Sequence, residues 1–397
     1  MAVTSDPLVG TLLDGRYRVE IPIATGGMST VYRGLDVRLD RPVALKVMDA
    51  RYAGDQQFLA RFHREARAVA RLKDPGLVAI YDQGNDAAHP FLVMELIEGG
   101  TLRELLRERG PMPPHAMVAV LRPVLSGLGV AHRAGLVHRD VKPENVLISD
   151  DGEVKLVDFG LVRAIAEAGI TSTSVILGTA AYLSPEQVTG TETGPRSDVY
   201  SAGIMAFELL TGTVPFKGDS SLLVAHQRLD RDVPPPSSLI EGIPGELDEF
   251  IGRATRRGPD ERFADASEMG AALSVIADEL ALPPFRVPAP RNSAQHAAAT
   301  VNLRQRTEQV AAPGRTPAAP YPTRQFTPIP EPEFDADDEM VSAPMQFAGI
   351  DIDEFARARQ QSRRAVVFWV VSVLVLTGLA AVAGATIGLN LEGLISR

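Results

Sequence analysis

The sequence predicts an α+β fold of two lobes, in which a small antiparallel sheet with one helix precedes a mainly helical lobe. Strand-like segments fill the first lobe, and apolar residues at helical spacing fill the second. A Pro-, Ala- and Thr-rich stretch and an uncharged apolar run follow, which predict a disordered linker and one transmembrane helix. The predicted units are a tail (1–14), the first lobe and hinge (15–97), the second lobe (98–282), the linker (283–364), the transmembrane helix (365–389) and a short tail beyond the membrane (390–397).

Composition excludes several classes of function. The chain has 397 residues and a formal net charge of −10, which argues against general binding to nucleic acid because such binding needs a basic surface. It has no cysteine, which excludes disulfides, thiolate zinc sites and cysteine nucleophiles, and fits a reducing compartment. The first ten residues, MAVTSDPLVG, lack the charged and apolar regions of a signal peptide.

The most informative stretch is 138–160, HRDVKPENVLISDDGEVKLVDFG. Asp140 is a carboxylate that can accept a hydroxyl proton, and Lys142 can sit beside a phosphate in transit. Asn145 and Asp158 carry the oxygen ligands that hard Mg²⁺ ions prefer. The order and spacing of these four residues match phosphoryl transfer from a metal-bound nucleotide.

The residues between these ligands predict a β-hairpin. Two short strands, 146–148 and 154–157, flank the turn 150–152, so that Asn145 and Asp158 would lie together. The alternative is that the acidic residues merely end strands, and a single short motif would not decide the matter. Both motifs in the correct order resemble the catalytic and metal-binding loops of eukaryotic-type protein kinases, HRDxKPxN followed by DFG.

A glycine-containing turn joins two strand-like segments, 16–24 and 30–35. Gly26 and Gly27 would let backbone N–H groups approach phosphates closely, although a plain hairpin turn has the same composition.

This turn departs from the kinase pattern G-x-G-x-x-G-x-V. Ala24 stands at the first glycine and Ser29 at the third, while Gly26, Gly27 and Val31 match. The resemblance implies a lid over the ATP phosphates, and the two substitutions leave its conformation and its effect on nucleotide affinity open.

Lys46 lies in an apolar strand segment, VALK, and needs a carboxylate because an unpaired buried ammonium is costly. Apolar residues at helical spacing predict a helix within 55–72, and the resemblance implies that Glu65 of this helix faces Lys46. The alternative is a glutamate that points to solvent.

The segment 94–97 is the expected hinge, where main-chain groups of Glu95 and Ile97 hold the adenine edge and Met94 lines the back of the pocket. An apolar strand end is the alternative. The ATP site that the resemblance implies consists of Ile23, Gly26, Gly27, Val31, Ala44, Lys46, Glu65, Met94, Glu95 and Ile97.

Residues 161–183 resemble an activation segment that ends in Ser-Pro-Glu. The hydroxyl cluster around Thr171 and Thr173 is either an ordinary polar loop or a phosphorylation site. Because Arg139 directly precedes the catalytic aspartate and can pair with a phosphate, we expect both threonines to be autophosphorylated.

Thr179 lies in a segment that resembles the substrate (P+1) loop, and together with Lys142 it favours serine and threonine acceptors over tyrosine. Two structural roles also follow from the resemblance. Asp198 would hold the backbone of the catalytic loop, and Arg262 would pair with Glu186.

The linker contains an acidic stretch at 331–339. Thr307, Thr316 and Thr327 are candidate phosphoacceptors there, and an exposed linker threonine without a role is the alternative.

The run 365–389 carries no formal charge over its length, which suits a spanning helix of about 20 residues. A buried core helix is the alternative. An excess of arginine before the run puts its N-terminal side in the cytoplasm. Gly384 and Gly388 have the G-x-x-x-G spacing of a helix-dimer contact.

Residues 15–282 are similar to the membrane-anchored, eukaryotic-like Ser/Thr kinases of bacteria, in particular to an actinobacterial type with a short tail and no extracellular sensor. This resemblance implies ATP and Mg²⁺ (or Mn²⁺) as cofactors, protein substrates, a cell-membrane location with a cytoplasmic kinase domain, and a homodimer. A pseudokinase scaffold, a small-molecule phosphotransferase, and docking of phosphothreonine-binding modules on the linker are further readings.

Overall fold

The N-terminal lobe is a six-stranded antiparallel sheet with strand order β1-β2-β3-β4-β6-β5. The computed structural model describes residues 6–86, 89–159, 181–218, 220–298, 346–347 and 350–351. The strands of the sheet are β1 (Leu12–Leu13), β2 (Tyr17–Thr25), β3 (Ser29–Asp36), β4 (Arg41–Met48), β5 (Ile80–Asp86) and β6 (His89–Met94).

Strand β4 is buried on both faces because each face packs against a different apolar cluster. Val43, Leu45 and Val47 pack on one face, and Ala44 and Met48 pack on the other beside the helix α1 (Gln56–Val69). Side chains alternate along a strand, so Lys46, which lies between Ala44 and Met48, is on the same face as they are, toward α1.

Helix α1 begins at Asp55, whose side chain accepts hydrogen bonds from the backbone N–H groups of Gln57 and Phe58. Its buried residues, Phe58, Phe62 and others at helical spacing, cover the sheet. This agrees with the predicted helix within 55–72.

A second, three-stranded sheet lies at the junction of the lobes. It consists of β7 (Gly99–Thr101), β8 (Val146–Ser149) and β9 (Val154–Leu156), with β8 in the middle. Strands β8 and β9 form the hairpin that the sequence predicts.

The second lobe is mainly helical. Its core is built around the helices α3 and α5, and every residue of α5 from Ser197 to Thr211 is buried. The helices are α2 (Leu102–Arg109), α3 (Pro114–Arg133), α4 (Pro185–Thr189), α5 (Pro195–Thr211), α6 (Ser221–Asp230), α7 (Gly245–Ala254) and α8 (Ala266–Glu279). The predicted two-lobed α+β fold is confirmed.

One described helix, α3, is long and apolar enough to cross a membrane by length and composition. Its apolar residues lie in the core of the second lobe, where they pack against α5 and α8. In the part of the chain that the structure describes, α3 is therefore a core helix. The predicted span 365–389 lies outside the described residues.

The predicted first residue of the disordered linker, 283, lies too early in the chain. Residues 283–298 pack on the second lobe, with Val287, Ser293 and Ala298 at 2%, 4% and 6% exposure. Their proline and alanine content suggested disorder, but these small and rigid residues fill close contacts with glycines of the lobe. Further along, in a separate unit, β10 (Gln346–Phe347) pairs with β11 (Ile350–Asp351).

Candidate active site

Lys46 of β4 pairs with Asp158, at 2.7 Å from Nζ to Oδ1. The lysine is only 5% exposed, so its ammonium depends on this carboxylate. The sequence assigned this partner to Glu65 of α1, which is half-buried. The ion pair that the structure shows for Lys46 is instead with Asp158, which supplies the charge that a buried ammonium needs, and the pairing with Glu65 stays a prediction.

Asp158 is held ionised by its surroundings. Burial raises the pKa of its carboxyl, but the charge and hydrogen bond of Lys46 outweigh burial and bring the pKa below its ordinary value. Its backbone has φ 67°, a left-handed conformation that is rare for a residue with a side chain. Arg139 has φ 68°. Such strain concentrates at functional sites because the surroundings must impose it.

The catalytic loop brings Asp140, Lys142 and Asn145 together. Lys142 Nζ lies 2.8 Å from Asp140 Oδ2, and Asn145 Nδ2 donates to the same oxygen at 2.9 Å and to the Asp140 carbonyl at 2.8 Å. The other carboxylate oxygen, Asp140 Oδ1, is buried without a hydrogen-bond partner. A carboxylate oriented on one oxygen and unpaired on the other is suited to accept a proton.

The hairpin brings the two expected metal ligands into adjacent positions. The backbone N–H of Val157 donates to the Asn145 carbonyl at 2.9 Å, directly before Asp158. Because Asn145 uses its amide N–H groups on Asp140, its amide oxygen remains as the ligand. One carboxylate and one amide oxygen fit a hard divalent ion that retains water and phosphate ligands.

Asp198 of α5 holds the backbone of the catalytic loop in place. Its carboxylate is 0% exposed and accepts the backbone N–H groups of His138 at 2.7 Å and Arg139 at 2.6 Å. These are the bonds expected for the role that the sequence assigns to it.

His132 is a third partner of Asp198 that sequence reasoning missed. Its Nε2 lies 2.8 Å from Asp198, and its Nδ1 accepts the backbone N–H of Ala266 at 3.2 Å. It therefore joins α3, α5 and α8. The available signal was a histidine on the buried stripe of an apolar helix, four residues after Leu128, where it needs polar partners.

An apolar cluster contains four of the residues that the sequence assigns to the ATP site. Ala44, Met94 and Ile97 are buried in one cluster, with Val31 packed against it. Leu147 of β8 packs on the same cluster from the second lobe and was not predicted. It alternates with buried neighbours on its strand, and only the lobe arrangement shows what it faces.

The predicted hinge residue Glu95 has both its backbone and its side chain engaged. Its N–H donates to the Ala79 carbonyl at 2.9 Å, and its carboxylate pairs with Lys155 of β9 at 2.8 Å. The Glu95 carbonyl is therefore the main-chain group at this residue that suits the adenine edge.

The glycine turn closes the β2–β3 hairpin. Gly26 N–H donates to the Ser29 carbonyl at 2.9 Å, and Arg51 donates to the Gly27 carbonyl at 3.0 Å. Ile23 precedes it on β2 and is half-buried.

Glu186 and Arg262 form a buried, two-pronged pair with both N···O distances at 2.9 Å. Ser197 donates to the same carboxylate at 2.7 Å. Burial raises the pKa of Glu186, but the hydrogen bonds from Arg262 and Ser197 outweigh burial and hold the pKa below its ordinary value. The two residues have the geometry expected for their structural role.

A second charged network reaches the end of the activation segment. Arg103 of α2 contacts Glu208 of α5 at 2.6 Å and Glu144 of the catalytic loop at 2.8 Å, and it also bonds the hydroxyl of Tyr182. Sequence reasoning missed this network because its members lie on four separate segments.

Several predicted residues lie outside the part of the chain that the structure describes: Thr171, Thr173, Thr179, Thr307, Thr316 and Thr327. Arg139, which should receive the phosphate, is half-buried and its Nε is buried without a hydrogen-bond partner. Its carbonyl accepts a hydrogen bond from Gln187 of α4 at 2.9 Å, next to the end of the activation segment.

Comparison with known proteins identifies close relatives. Residues 17–271 match the family model described as protein kinase domain. The serine/threonine-protein kinase PknL of Mycobacterium bovis is 65% identical over 400 residues, which cover 99% of each chain. PknB of Mycobacterium tuberculosis is 43% identical over 267 residues, which cover 66% of this chain and 43% of PknB. The crystal structure of the M. tuberculosis PknI kinase domain has a TM-score of 0.55 and 26% identity, and covers 68% of this chain and 98% of its own.

Proposed function

The chain belongs to the protein kinase family, and from this premise we propose how its residues transfer the γ-phosphoryl group of ATP to serine and threonine hydroxyls of proteins. The expected resemblance to actinobacterial protein kinase L is confirmed, and the pseudokinase and small-molecule alternatives gain no support. The family uses ATP and a divalent metal ion, and we assign Mg²⁺ or Mn²⁺ here.

Asp140 is the proposed base. Lys142 and Asn145 hold one of its carboxylate oxygens at 2.8 and 2.9 Å, and the other oxygen is the acceptor for the substrate hydroxyl proton. Lys142 also places a positive charge beside the transferring group. Because these contacts exist before substrate binds, most of the catalytic effect comes from positioning and electrostatics.

Asn145 and Asp158 would hold the metal ion, and Lys46 would bind the α- and β-phosphates. A bound divalent ion neutralises charge that develops on the phosphate oxygens. Since Lys46 now pairs with Asp158, we propose that it keeps that carboxylate ionised until the nucleotide arrives. Glu65, on the same side of the sheet, is then the proposed partner of the lysine in the nucleotide-bound state.

One observation supports this proposal most strongly: Asp140 Oδ1 is buried and has no hydrogen-bond partner, beside a lysine and a predicted metal ligand. A structural carboxylate at such a position would be satisfied, because an unsatisfied buried acceptor costs about 1–3 kcal/mol.

Activation is proposed to occur by autophosphorylation of Thr171 and Thr173. Arg139 is already fixed by two neighbours, since its backbone N–H binds Asp198 and its carbonyl binds Gln187. A phosphate paired with its guanidinium would connect the activation segment to the catalytic loop.

We predict that wild-type protein incubated with Mg-ATP carries phosphate on Thr171 and Thr173, whereas Lys46→Met carries none. The reason is that the variant lacks the ammonium that binds the phosphates of ATP. Labelled γ-phosphate incorporation and phosphopeptide mapping measure this. If neither protein incorporates labelled phosphate, the result supports the pseudokinase scaffold instead. If the label is found only on other residues, Thr171 and Thr173 are not the activation sites.

We further propose a cell-membrane location, with 365–389 as the anchor and the kinase domain in the cytoplasm. The linker threonines Thr307, Thr316 and Thr327, once phosphorylated, would bind phosphothreonine-binding modules. The proposed assembly is a homodimer. Fractionation of cells that express the chain with and without 365–389 tests the anchor, and pull-down with and without phosphatase treatment tests the docking.

A further inference from the structure

Residues 283–298, here named the strap, follow the last helix of the kinase domain and lie against the small sheet at the lobe junction. Arg286 Nε donates to the Asp151 carbonyl at 2.7 Å, and His296 lies 3.0 Å from Asp150. The strap therefore contacts the turn of the β8–β9 hairpin from outside the lobe. Asn145 and Asp158 lie at the opposite end of this hairpin.

Helix α2 supplies the second half of the docking surface. Glu108 accepts the backbone N–H groups of Arg291 at 2.8 Å and Asn292 at 3.3 Å, and Glu104 accepts that of Ala294 at 2.9 Å. The two carboxylates are one helical turn apart, so both face the strap. Hydrogen bonds to charged acceptors are stronger than those between neutral groups.

Two glycines permit the close approach. A Cβ on Gly100 of β7 would lie 2.5 Å from Pro290 and 2.6 Å from Ser293 of the strap. A Cβ on Gly152 in the hairpin turn would lie 2.9 Å from the Val287 carbonyl. The lobe surface thus has small residues where the strap needs room, which indicates a built contact rather than a tail that rests on the surface.

The hairpin connects the strap to the proposed metal ligands. Asp150 N–H donates to the Glu98 carbonyl at 2.7 Å, which ties the turn to the exit of the hinge. From the turn, β8 and β9 pair residue by residue to Val146 opposite Leu156, and the next bond joins Val157 to Asn145. A continuously hydrogen-bonded two-stranded unit therefore connects the strap to Asn145 and Asp158.

We propose that the strap is a positioning element of this kinase: it fixes the β8–β9 hairpin and thereby the geometry of the metal ligands. This inference rests on the proposed roles of Asn145 and Asp158. Because the strap leads into the predicted linker, any force or modification that lifts it acts on metal binding from outside the active site.

The test uses the full chain and two variants that release the strap by different means. Glu108→Ala removes the acceptor of two strap N–H groups, and Gly100→Ala inserts a methyl group against Pro290. Hydrogen exchange of Arg291 and Asn292 should rise about tenfold in Glu108→Ala. The Mg²⁺ concentration for half-maximal activity should rise about three- to tenfold in both, with kcat at saturating Mg²⁺ nearly unchanged.

Three further proteins make the result specific. Glu108→Gln keeps one neutral acceptor and should give an intermediate shift. Glu279→Gln changes an exposed helical glutamate outside the strap contact and should match wild type. Asp158→Asn should show no kinase activity that increases with Mg²⁺ concentration.

The outcomes separate the strap from the proposed function. A merely structural role would lower kcat and melting temperature and leave the Mg²⁺ requirement unchanged, which overturns the inference. Unchanged exchange in both strap variants contradicts the docking itself. If Asp158→Asn retains the wild-type Mg²⁺ dependence, the proposed metal site fails rather than the strap.

Discussion

Asp140→Asn is expected to lower kcat about 10²–10⁴-fold, because the variant lacks the base that accepts the substrate proton. Asparagine has nearly the same shape and retains a carbonyl oxygen, so the contacts of Lys142 and Asn145 can persist. The KM for ATP should therefore change little. Steady-state kinetics with a peptide substrate measures both quantities.

Glu144→Gln is the matched control for this experiment. It removes a carboxylate from the same loop, but one that pairs with Arg103 and is 44% exposed. Its kcat should fall far less than that of Asp140→Asn. Equal losses in the two variants, or a kcat near wild type in Asp140→Asn, would refute Asp140 as the base.

Arg262→Met is expected to destabilise the domain by about 3–5 kcal/mol, since it leaves the Glu186 carboxylate buried without its partner. Arg262 is 3% exposed and Glu186 is 7% exposed, so water cannot replace the lost bonds. Chemical denaturation followed by circular dichroism measures the free energy of unfolding. A double variant, Glu186→Leu with Arg262→Met, removes the unpaired charge and should recover part of the loss.

Arg257→Met is the exposed counterpart. Its pair with Asp232 has side chains 48% and 61% exposed, and its loss should cost less than about 1 kcal/mol.

The buried pair of Arg262 and Glu186 also predicts that the stability of the domain depends on pH. The folded-state pKa of Glu186 lies below its ordinary value, so its stabilisation is present above the unfolded-state pKa and is lost as the pH falls through the folded-state pKa. Glu186→Gln should lack this loss below about pH 4; a loss of stability equal to that of wild type would contradict it.

The fold and the catalytic loop were accessible from the sequence because their signals are local. The hairpin, its turn and the residues Asp140, Lys142 and Asn145 lie within one short stretch whose spacing sets their geometry. The buried face of β4 likewise follows from alternation along one strand.

The remaining features depend on contacts between distant segments. The ion pair of Lys46 with Asp158 joins two distant segments, and no spacing rule in the sequence connects them. His132 and the Arg103 network join residues from separate helices, where no spacing rule applies. The strap was misread as disordered because composition reports average burial, whereas its docking depends on two glycines and two glutamates of the lobe.

The measurement that tests the account most directly is ATP affinity with and without Mg²⁺. Wild-type protein should bind ATP more tightly when Mg²⁺ is added, and Asp158→Asn and Lys46→Met should lose most of that gain. Asp278→Asn, which changes an aspartate 85% exposed and outside the site, should behave as wild type. ATP binding that ignores both Mg²⁺ and the two site variants would contradict a shared metal and phosphate site between the lobes.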